Sequence, residues 1–246
     1  MKLSKETTQE TMSFLNGPSG KIQVYALNND KAKKEQILIL PNGYGVLEYC
    51  KSLGGALSSK WSNIFIPNLR GQGLSDGELS IKGGSEDVKF MCKEIRSVHD
   101  GKITIIVHCS AMLYLLNLVH EKKFWLNIER VILYGYLACP AIHLDRFIKK
   151  TKKYGVRVKF NEKELWHSNS FKYRDIPVPF FVVHPLNKIN LTRANKTQLN
   201  ELNKYSNPCK ILTPKKGYEI LDIWQNHSVS NIVTNYYSPI IDGSMN

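Results

Sequence analysis

The chain has 246 residues and a formal net charge of +13 at pH 7. That length suits a single α/β domain over residues 1–246 with a sizeable core, or one with a small lid. No apolar run approaches a membrane span, and Met1 to Glu10 is too polar for a signal peptide, so we expect no membrane association. The five scattered cysteines include no Cys-x-x-Cys pair. Their pattern favours a reducing cytoplasm and argues against disulfides and a zinc site.

The positive charge is the one anomaly of the composition. Much of it lies in Lys149-Lys150-Thr151-Lys152-Lys153 and in the segment up to Lys172. A solvated basic face is the simplest interpretation, and an acidic protein partner comes second because opposite fields accelerate encounter. No nucleic-acid-binding motif accompanies the basic residues, so nucleic acid is the least favoured partner.

Short apolar runs alternate along the chain with stretches of helical spacing. This alternation predicts a mostly parallel central sheet with helices on both faces. The predicted strands are Lys21–Leu27, Gln36–Leu40, Asn63–Pro67, Ile103–Ile106, Arg130–Tyr134, Pro179–Val183 and Lys210–Thr213. The predicted helices are Val46–Ser59, Ser85–Val98, Met112–Val119, Asn190–Tyr205 and Asp222–Tyr237.

The segment Val107-His108-Cys109-Ser110-Ala111 joins a buried strand to a helix and has the setting of a nucleophile elbow. Two registers are open, one with Cys109 as the nucleophile and one with Ser110. Cys109 is favoured because Ile103–Ile106 fills the usual strand and Ala111 then takes the place of the last glycine. In the Ser110 register, His108 and Met112 would stand where backbones must approach closely. A small buried thiol at a strand end is the structural alternative.

Three motifs in this order resemble those of α/β-hydrolases. Pro41-Asn42-Gly43-Tyr44-Gly45 is similar to the His-Gly-x-Gly loop, and Asn68-Leu69-Arg70-Gly71-Gln72-Gly73-Leu74-Ser75 to the Asp-x-Arg-Gly-His-Gly-x-Ser stretch. The elbow then follows, although it departs from Gly-x-nucleophile-x-Gly at Val107, Cys109 and Ala111. The resemblance implies an α/β-hydrolase fold with a small lid or cap at 141–175. The short chain most resembles thioesterases and acyltransferases.

The resemblance also implies an oxyanion hole. One backbone N–H would come from Ser110, which follows the nucleophile, and the other from Tyr44 in the glycine loop. Such donors stabilise the negative charge that develops on the substrate oxygen. A purely structural role for the glycines, as hinges between strand and helix, is the alternative.

The catalytic triad departs from the family pattern. Asn187 stands where the carboxylate is expected, and Tyr218 stands where the histidine base is expected. His227 is the candidate base and Asn187 the residue that would orient it, with His184, Tyr218 and His108 as alternatives. A thiol tolerates this loss better than a hydroxyl, because cysteine already holds a small thiolate fraction at neutral pH, and a helix N-terminus behind it would raise that fraction.

The leading hypothesis is an acyl-transfer enzyme with Cys109 as nucleophile. It would be a thioesterase, acyltransferase or cyclase acting on an acyl thioester, with the basic lid docking an acidic acyl carrier protein. No metal or other cofactor is expected. An inactive pseudo-hydrolase that binds a ligand or partner is the second hypothesis. An isomerase or lyase using Tyr218, His184 or His227 is the third.

Overall fold

The centre of the fold is an eight-stranded mixed sheet within the described part of the chain. The structure is a computed structural model that describes residues 8–30, 33–42, 47–134, 153, 155–157, 173–183, 209–212 and 237–242. Its strands are β1 (Gln9–Gly17), β2 (Gly20–Asn28), β3 (Lys33–Leu40), β4 (Trp61–Asn68), β5 (Ile103–His108), β6 (Ile128–Tyr134), β7 (Phe180–Val183) and β8 (Cys209–Leu212). They are ordered β1-β2-β4-β3-β5-β6-β7-β8. The pairs β1/β2 and β2/β4 are antiparallel, and every other neighbouring pair is parallel. The predicted mostly parallel sheet is therefore confirmed.

Helices cover both faces of this sheet, as predicted. They are α1 (Leu47–Ser58), α2 (Ile81–Val98), α3 (Met112–Leu116) and α4 (Lys122–Trp125), with a short C-terminal helix at Ser238–Ile241. One core contains the apolar residues of α2, α3 and α4. The other contains those of α1 and of the C-terminal helix. The sheet is thus the middle layer of three.

Strand β5 lies near the centre of the sheet and is buried along its whole length. Ile105 and Val107 pack in the core of the α2 face, while Ile106 packs in the core of the α1 face. A strand with two covered faces needs apolar side chains in both directions, which accounts for the continuous apolar run. Its parallel neighbours β3 and β6 end at the same edge, where Leu40 pairs with Val107 and Tyr134 with His108, directly before Cys109.

The N-terminal hairpin was not predicted. Strand β1 pairs with β2 along Gln9–Gly17, and most of its residues are exposed. Its polar–apolar alternation is confined to Thr11–Phe14 and is interrupted by Leu15, so the strand signal is weak. Gly17 and Gly20 close the hairpin, and Gly20 has a φ of 111°, which glycine adopts without strain.

Two predicted helix bounds are wrong. Helix α2 begins at Ile81 rather than Ser85, because the Ser80 hydroxyl accepts a hydrogen bond from the Gly83 N–H and caps it. Helix α3 ends at Leu116 rather than Val119, because the chain tightens there into a turn whose Leu118 carbonyl accepts a hydrogen bond from the Trp125 indole.

Part of the predicted lid packs against the main domain. The Leu79 N–H donates to the Arg157 carbonyl at 2.7 Å, and the Arg157 N–H donates to the Gly71 carbonyl at 3.0 Å. Val156 is buried in the core of the α2 face. Most of 141–175 and the predicted helices at 190–205 and 222–237, except residue 237, lie outside the described residues. The division into one domain and a lid therefore stays a prediction.

Among the residues that the structure describes, no helix is both long and apolar enough to span a membrane.

Gly84 allows α2 to approach the segment after β5 closely. A Cβ built on Gly84 would lie 2.5 Å from the ring of Tyr114, which is buried. We predict that Gly84→Ala lowers the free energy of unfolding by about 1–3 kcal/mol, the usual cost of overpacking. Urea denaturation measures this loss.

Gly55→Ala on α1 is the matched control, because a Cβ at that position would meet no neighbouring group within 4 Å among the described residues. Alanine in a helix is favoured over glycine by up to about 1 kcal/mol. We expect this variant to be as stable as the wild type or more so. Equal behaviour of the two variants would contradict the packing argument.

Candidate active site

The candidate site lies at the carboxyl edge of the parallel strands, where β5 ends. His108 is the last residue of β5 and has extended backbone angles, with φ −99° and ψ 118°. Cys109 follows with a φ of 46° and is the only non-glycine residue with a positive φ in the described part of the chain. A single turn of 3₁₀-helix, Cys109–Ala111, then leads into α3. The chain thus reverses sharply from strand to helix at Cys109.

Cys109 and Ser110 are both partly exposed, whereas His108 and Ala111 on either side of them are buried. The left-handed backbone conformation falls on Cys109, not on Ser110. The sequence leaves open whether Cys109 or Ser110 stands at the centre of the turn. The structure places Cys109 there. Which side chain attacks a substrate stays a prediction.

The imidazole of His108 lies next to the thiol. Its Nε2 is 3.7 Å from Cys109 Sγ, within hydrogen-bond range for sulfur. Its ring stacks on Tyr134 of β6, with a centroid separation of 5.8 Å. Burial lowers the pKa of His108 from 6.5 to about 4, because the interior disfavours the imidazolium. At neutral pH the thiol therefore faces a neutral imidazole.

A tyrosine from the C-terminal segment packs behind this pair. The rings of Tyr134 and Tyr237 lie 6.3 Å apart, and both side chains are buried. Burial, with a smaller contribution from Tyr134, raises the pKa of Tyr237 well above its ordinary value of 10.0. The phenol of Tyr237 is therefore neutral at physiological pH, and the described side chains packed behind His108 include two aromatic rings.

The loop between β4 and α2 approaches the site from the β3 side. Arg70 donates two hydrogen bonds from its guanidinium to Asp87, at 3.1 and 2.7 Å, and its backbone N–H donates to the same carboxylate at 2.8 Å. Asp87 is fully buried. Gln72 of this loop donates from Nε2 to the carbonyl of Asn42 at 3.1 Å. The second motif of the sequence is thus tied both to α2 and to the start of the glycine loop.

The remaining predicted site residues lie outside the described residues. They are Tyr44, His184, Asn187, Tyr218 and His227. The base, its orienting residue and one of the two oxyanion donors therefore stay predictions. Of the predicted set, the structure brings together Cys109, Ser110 and His108.

One feature of the site was not predicted, and a second was predicted only as an alternative. Gln72 has no role predicted from the sequence, although it stands within a recognised motif at a position where the family has histidine. His108 is predicted only as an alternative, because a residue beside the nucleophile in the sequence has no spacing signal that distinguishes contact from separation. The sequence also predicts that a helix N-terminus stabilises the Cys109 thiolate. Because α3 spans only five residues, we expect this stabilisation to be smaller than for a full-length helix.

No group of three or more histidine, cysteine, aspartate or glutamate side chains within the described ranges could hold a metal ion.

Solved structures similar to this chain share the α/β-hydrolase fold. A serine hydrolase without lid from Xanthomonas campestris matches with a TM-score of 0.60 at 12% identity, over 94% of this chain and 96% of its own. The enol-lactonase from Burkholderia xenovorans gives 0.61 at 12% identity, over 92% and 100%. Mouse alpha/beta hydrolase domain-containing protein 10 gives 0.65 at 13% identity, over 95% and 99%. The chain therefore has the α/β-hydrolase fold, as its motifs predicted.

Comparison with protein-family models and with curated proteins finds no match by sequence.

The buried imidazole makes the stability of the protein pH-dependent. The pKa of His108 is 6.5 in the unfolded chain and about 4 in the folded protein. Between pH 6.5 and 4 the unfolded state therefore binds the proton more readily than the folded state. We predict that stability is unaffected by His108 above pH 6.5. It then falls as the pH drops from 6.5 towards 4, by on the order of 3 kcal/mol in total.

Urea denaturation of wild type and His108→Gln between pH 7.5 and 4.5 isolates this contribution. The wild type should lose more stability than the variant over that interval. A His108 ring resonance that titrates near pH 6.5 in the folded protein would contradict the assignment of a neutral, buried imidazole.

Proposed function

We propose that this protein is an acyl-transfer enzyme in which Cys109 attacks an acyl thioester. The observation that carries the proposal is the positive φ of Cys109 at the junction of β5 and the helical segment that follows. That conformation costs a non-glycine residue roughly 1–2 kcal/mol. Strain of this kind occurs mainly where function requires a side chain in a particular position. Here it leaves the thiol partly exposed above the carboxyl edge of the sheet.

Exposure distinguishes Cys109 from Cys50 and Cys92, the other two thiols whose burial the structure describes. Cys50 and Cys92 are fully buried in the two cores, and burial raises the pKa of both. A protonated thiol in a core is inert, because the thiolate is the nucleophile. Of the three, Cys109 is therefore the thiol suited to react with a substrate.

The proposed reaction begins with attack of the Cys109 thiolate on the thioester carbonyl carbon. A carbon–sulfur bond forms, and the electron pair of the carbonyl π bond moves to oxygen. The N–H groups of Ser110 and Tyr44 are the proposed donors to this oxyanion. Collapse of the intermediate expels the thiolate of the leaving group, which takes up a proton, and leaves the acyl group on Cys109. Water, an amine or a carbon nucleophile of the substrate then accepts the acyl group.

Proton transfer is assigned from the sequence. His227 is the proposed base, and Asn187 is proposed to orient its ring, as asparagine can for an imidazole. His108 is poorly suited to that task, because a conjugate acid with a pKa of about 4 is too strong for its imidazole to remove a proton from a thiol efficiently. The neutral ring of His108 can instead form a hydrogen bond with the Cys109 thiol and fix the orientation of that thiol.

An acyl carrier protein is the proposed source of the acyl group. Carrier proteins are acidic, and the segment 141–175 of this chain is rich in lysine and arginine. Opposite charge on two partners accelerates their encounter and orients them. The acidic partner and a cytoplasmic location are both proposals from sequence.

A pseudo-hydrolase is the second candidate function. Asn187 and Tyr218 replace the expected carboxylate and histidine, and the imidazole nearest the thiol is a weak base. In that case the site would bind a ligand without turnover. Binding would raise the melting temperature and release no product.

Incubation with short acyl thioesters distinguishes the two functions. We predict that intact-protein mass spectrometry detects one acyl group on the wild type and none on Cys109→Ala. Ser110→Ala should still be acylated, because its backbone N–H remains. Cys92→Ala controls for loss of a thiol that does not react.

Acylation of the Cys109→Ala variant would contradict Cys109 as the nucleophile. A thermal shift without any adduct or free thiol product would instead support the pseudo-hydrolase.

A further inference from the structure

We infer that Gln72 is a positioning residue for this reaction and holds the chain at the start of the glycine loop. The inference rests on the proposed function, because it concerns the loop that would supply the Tyr44 N–H. It adds a residue to which neither the motif resemblance nor the comparisons assign a role. The argument depends on the hydrogen bonds of one buried side chain.

Gln72 has no exposed surface, and both ends of its amide are bonded to backbone groups. Its Oε1 accepts from the Leu69 N–H at 2.9 Å, and its Nε2 donates to the Asn42 carbonyl at 3.1 Å. The backbone of Gln72 is fixed as well, since its N–H donates to the Leu69 carbonyl and its own carbonyl accepts from the Ser75 N–H. The side chain therefore reaches Asn42 from a rigid base.

The polarity of these two partners determines which side chains can replace Gln72. One partner is a backbone donor and the other a backbone acceptor, so the residue between them must accept once and donate once. The amide of glutamine does this in only one orientation. A neutral imidazole also has one donor and one acceptor, whereas leucine has neither and an ionised carboxylate cannot donate. This requirement accounts for glutamine at a position where the family motif has histidine.

The loop that carries Gln72 is held against the main domain on two further sides. Arg70 is bonded to buried Asp87 of α2. Gly71 accepts from the Arg157 N–H, and a Cβ on Gly71 would lie 2.4 Å from the Arg157 carbonyl. These contacts hold the loop through partners other than Asn42, and the Gln72–Asn42 hydrogen bond joins Asn42 to it. Asn42 directly precedes Gly43-Tyr44-Gly45 in the chain.

Comparison of two reactions of Cys109 isolates the effect of Gln72. Acylation by a thioester passes through an oxyanion. Alkylation by iodoacetamide displaces iodide from a saturated carbon and forms none. A residue that places an oxyanion donor should affect the first rate and not the second. General damage to the fold or to the thiol should lower both.

We expect Gln72→Leu to reduce the acylation rate by about 10- to 100-fold, because displacing a transition-state donor by about 1 Å has an effect of that order. The alkylation rate should stay within about threefold of the wild type. Gln72→His should recover most of the acylation rate, since neutral imidazole supplies the same donor and acceptor. Should Gln72→Leu fail to fold, Gln72→Asn serves in its place, because its shorter side chain keeps the amide but cannot span both partners.

Ser75→Ala is the matched control. Ser75 is buried in the same loop and its hydroxyl bonds to the Asn68 carbonyl and the Gln23 N–H, with no bond to Asn42. We expect its acylation rate to stay within about threefold of the wild type. Equal losses of acylation in Gln72→Leu and Ser75→Ala, or parallel losses of acylation and alkylation in Gln72→Leu, would overturn the inference. So would failure of Gln72→His to recover acylation.

Hydrogen exchange separates this inference from the proposed function. Absence of acylation in the wild type would contradict the proposed function itself. In that case, amide exchange in the peptide that contains residues 41–47 tests whether the Gln72–Asn42 hydrogen bond restrains this segment. Faster exchange in Gln72→Leu than in the wild type and Ser75→Ala supports the inference that Gln72 restrains this segment. Unchanged exchange overturns that inference.

Discussion

The chain must leave a fully covered central strand without burying unpaired backbone groups, and it does so by turning sharply at Cys109. Strand β5 has apolar cores on both faces and parallel neighbours on both sides, and it ends at His108. The left-handed conformation at Cys109 redirects the backbone into a 3₁₀ turn within one residue. The strain is located on Cys109, which is partly exposed, whereas Cys50 and Cys92 are buried. Architecture and proposed chemistry therefore depend on the same backbone angle.

Two supports meet around this turn. His108 and Tyr134, paired in register on β5 and β6, stack their rings beside the thiol. On the β3 side, Gln72 connects the loop after β4 to Asn42. The Arg70–Asp87 pair ties that loop to α2, and breaking a buried pair of this kind is strongly destabilising because one charge is left without its partner. Both supports act through groups that are largely shielded from water.

The sequence predicted the fold better than it predicted the site. Apolar runs such as Ile103–Ile106 identify strands covered on two faces, and the motifs around Gly43 and Arg70 identified the fold. Strand β1 was missed because most of its residues are exposed and its alternation is limited to Thr11–Phe14. The end of α3 depends on the Trp125 indole bond to the Leu118 carbonyl, a tertiary contact that local spacing cannot reveal. The roles of His108 and Gln72 likewise depend on which side chains the fold brings within bonding distance.

The most direct test of Cys109 as the nucleophile is a crystal structure of the protein treated with a short aliphatic aldehyde, which adds reversibly to a thiol and mimics the tetrahedral intermediate. We predict a hemithioacetal on Cys109 with its oxygen about 3 Å from the backbone nitrogens of Ser110 and Tyr44. An unmodified Cys109, or an adduct whose oxygen points away from both nitrogens, would contradict the proposed chemistry.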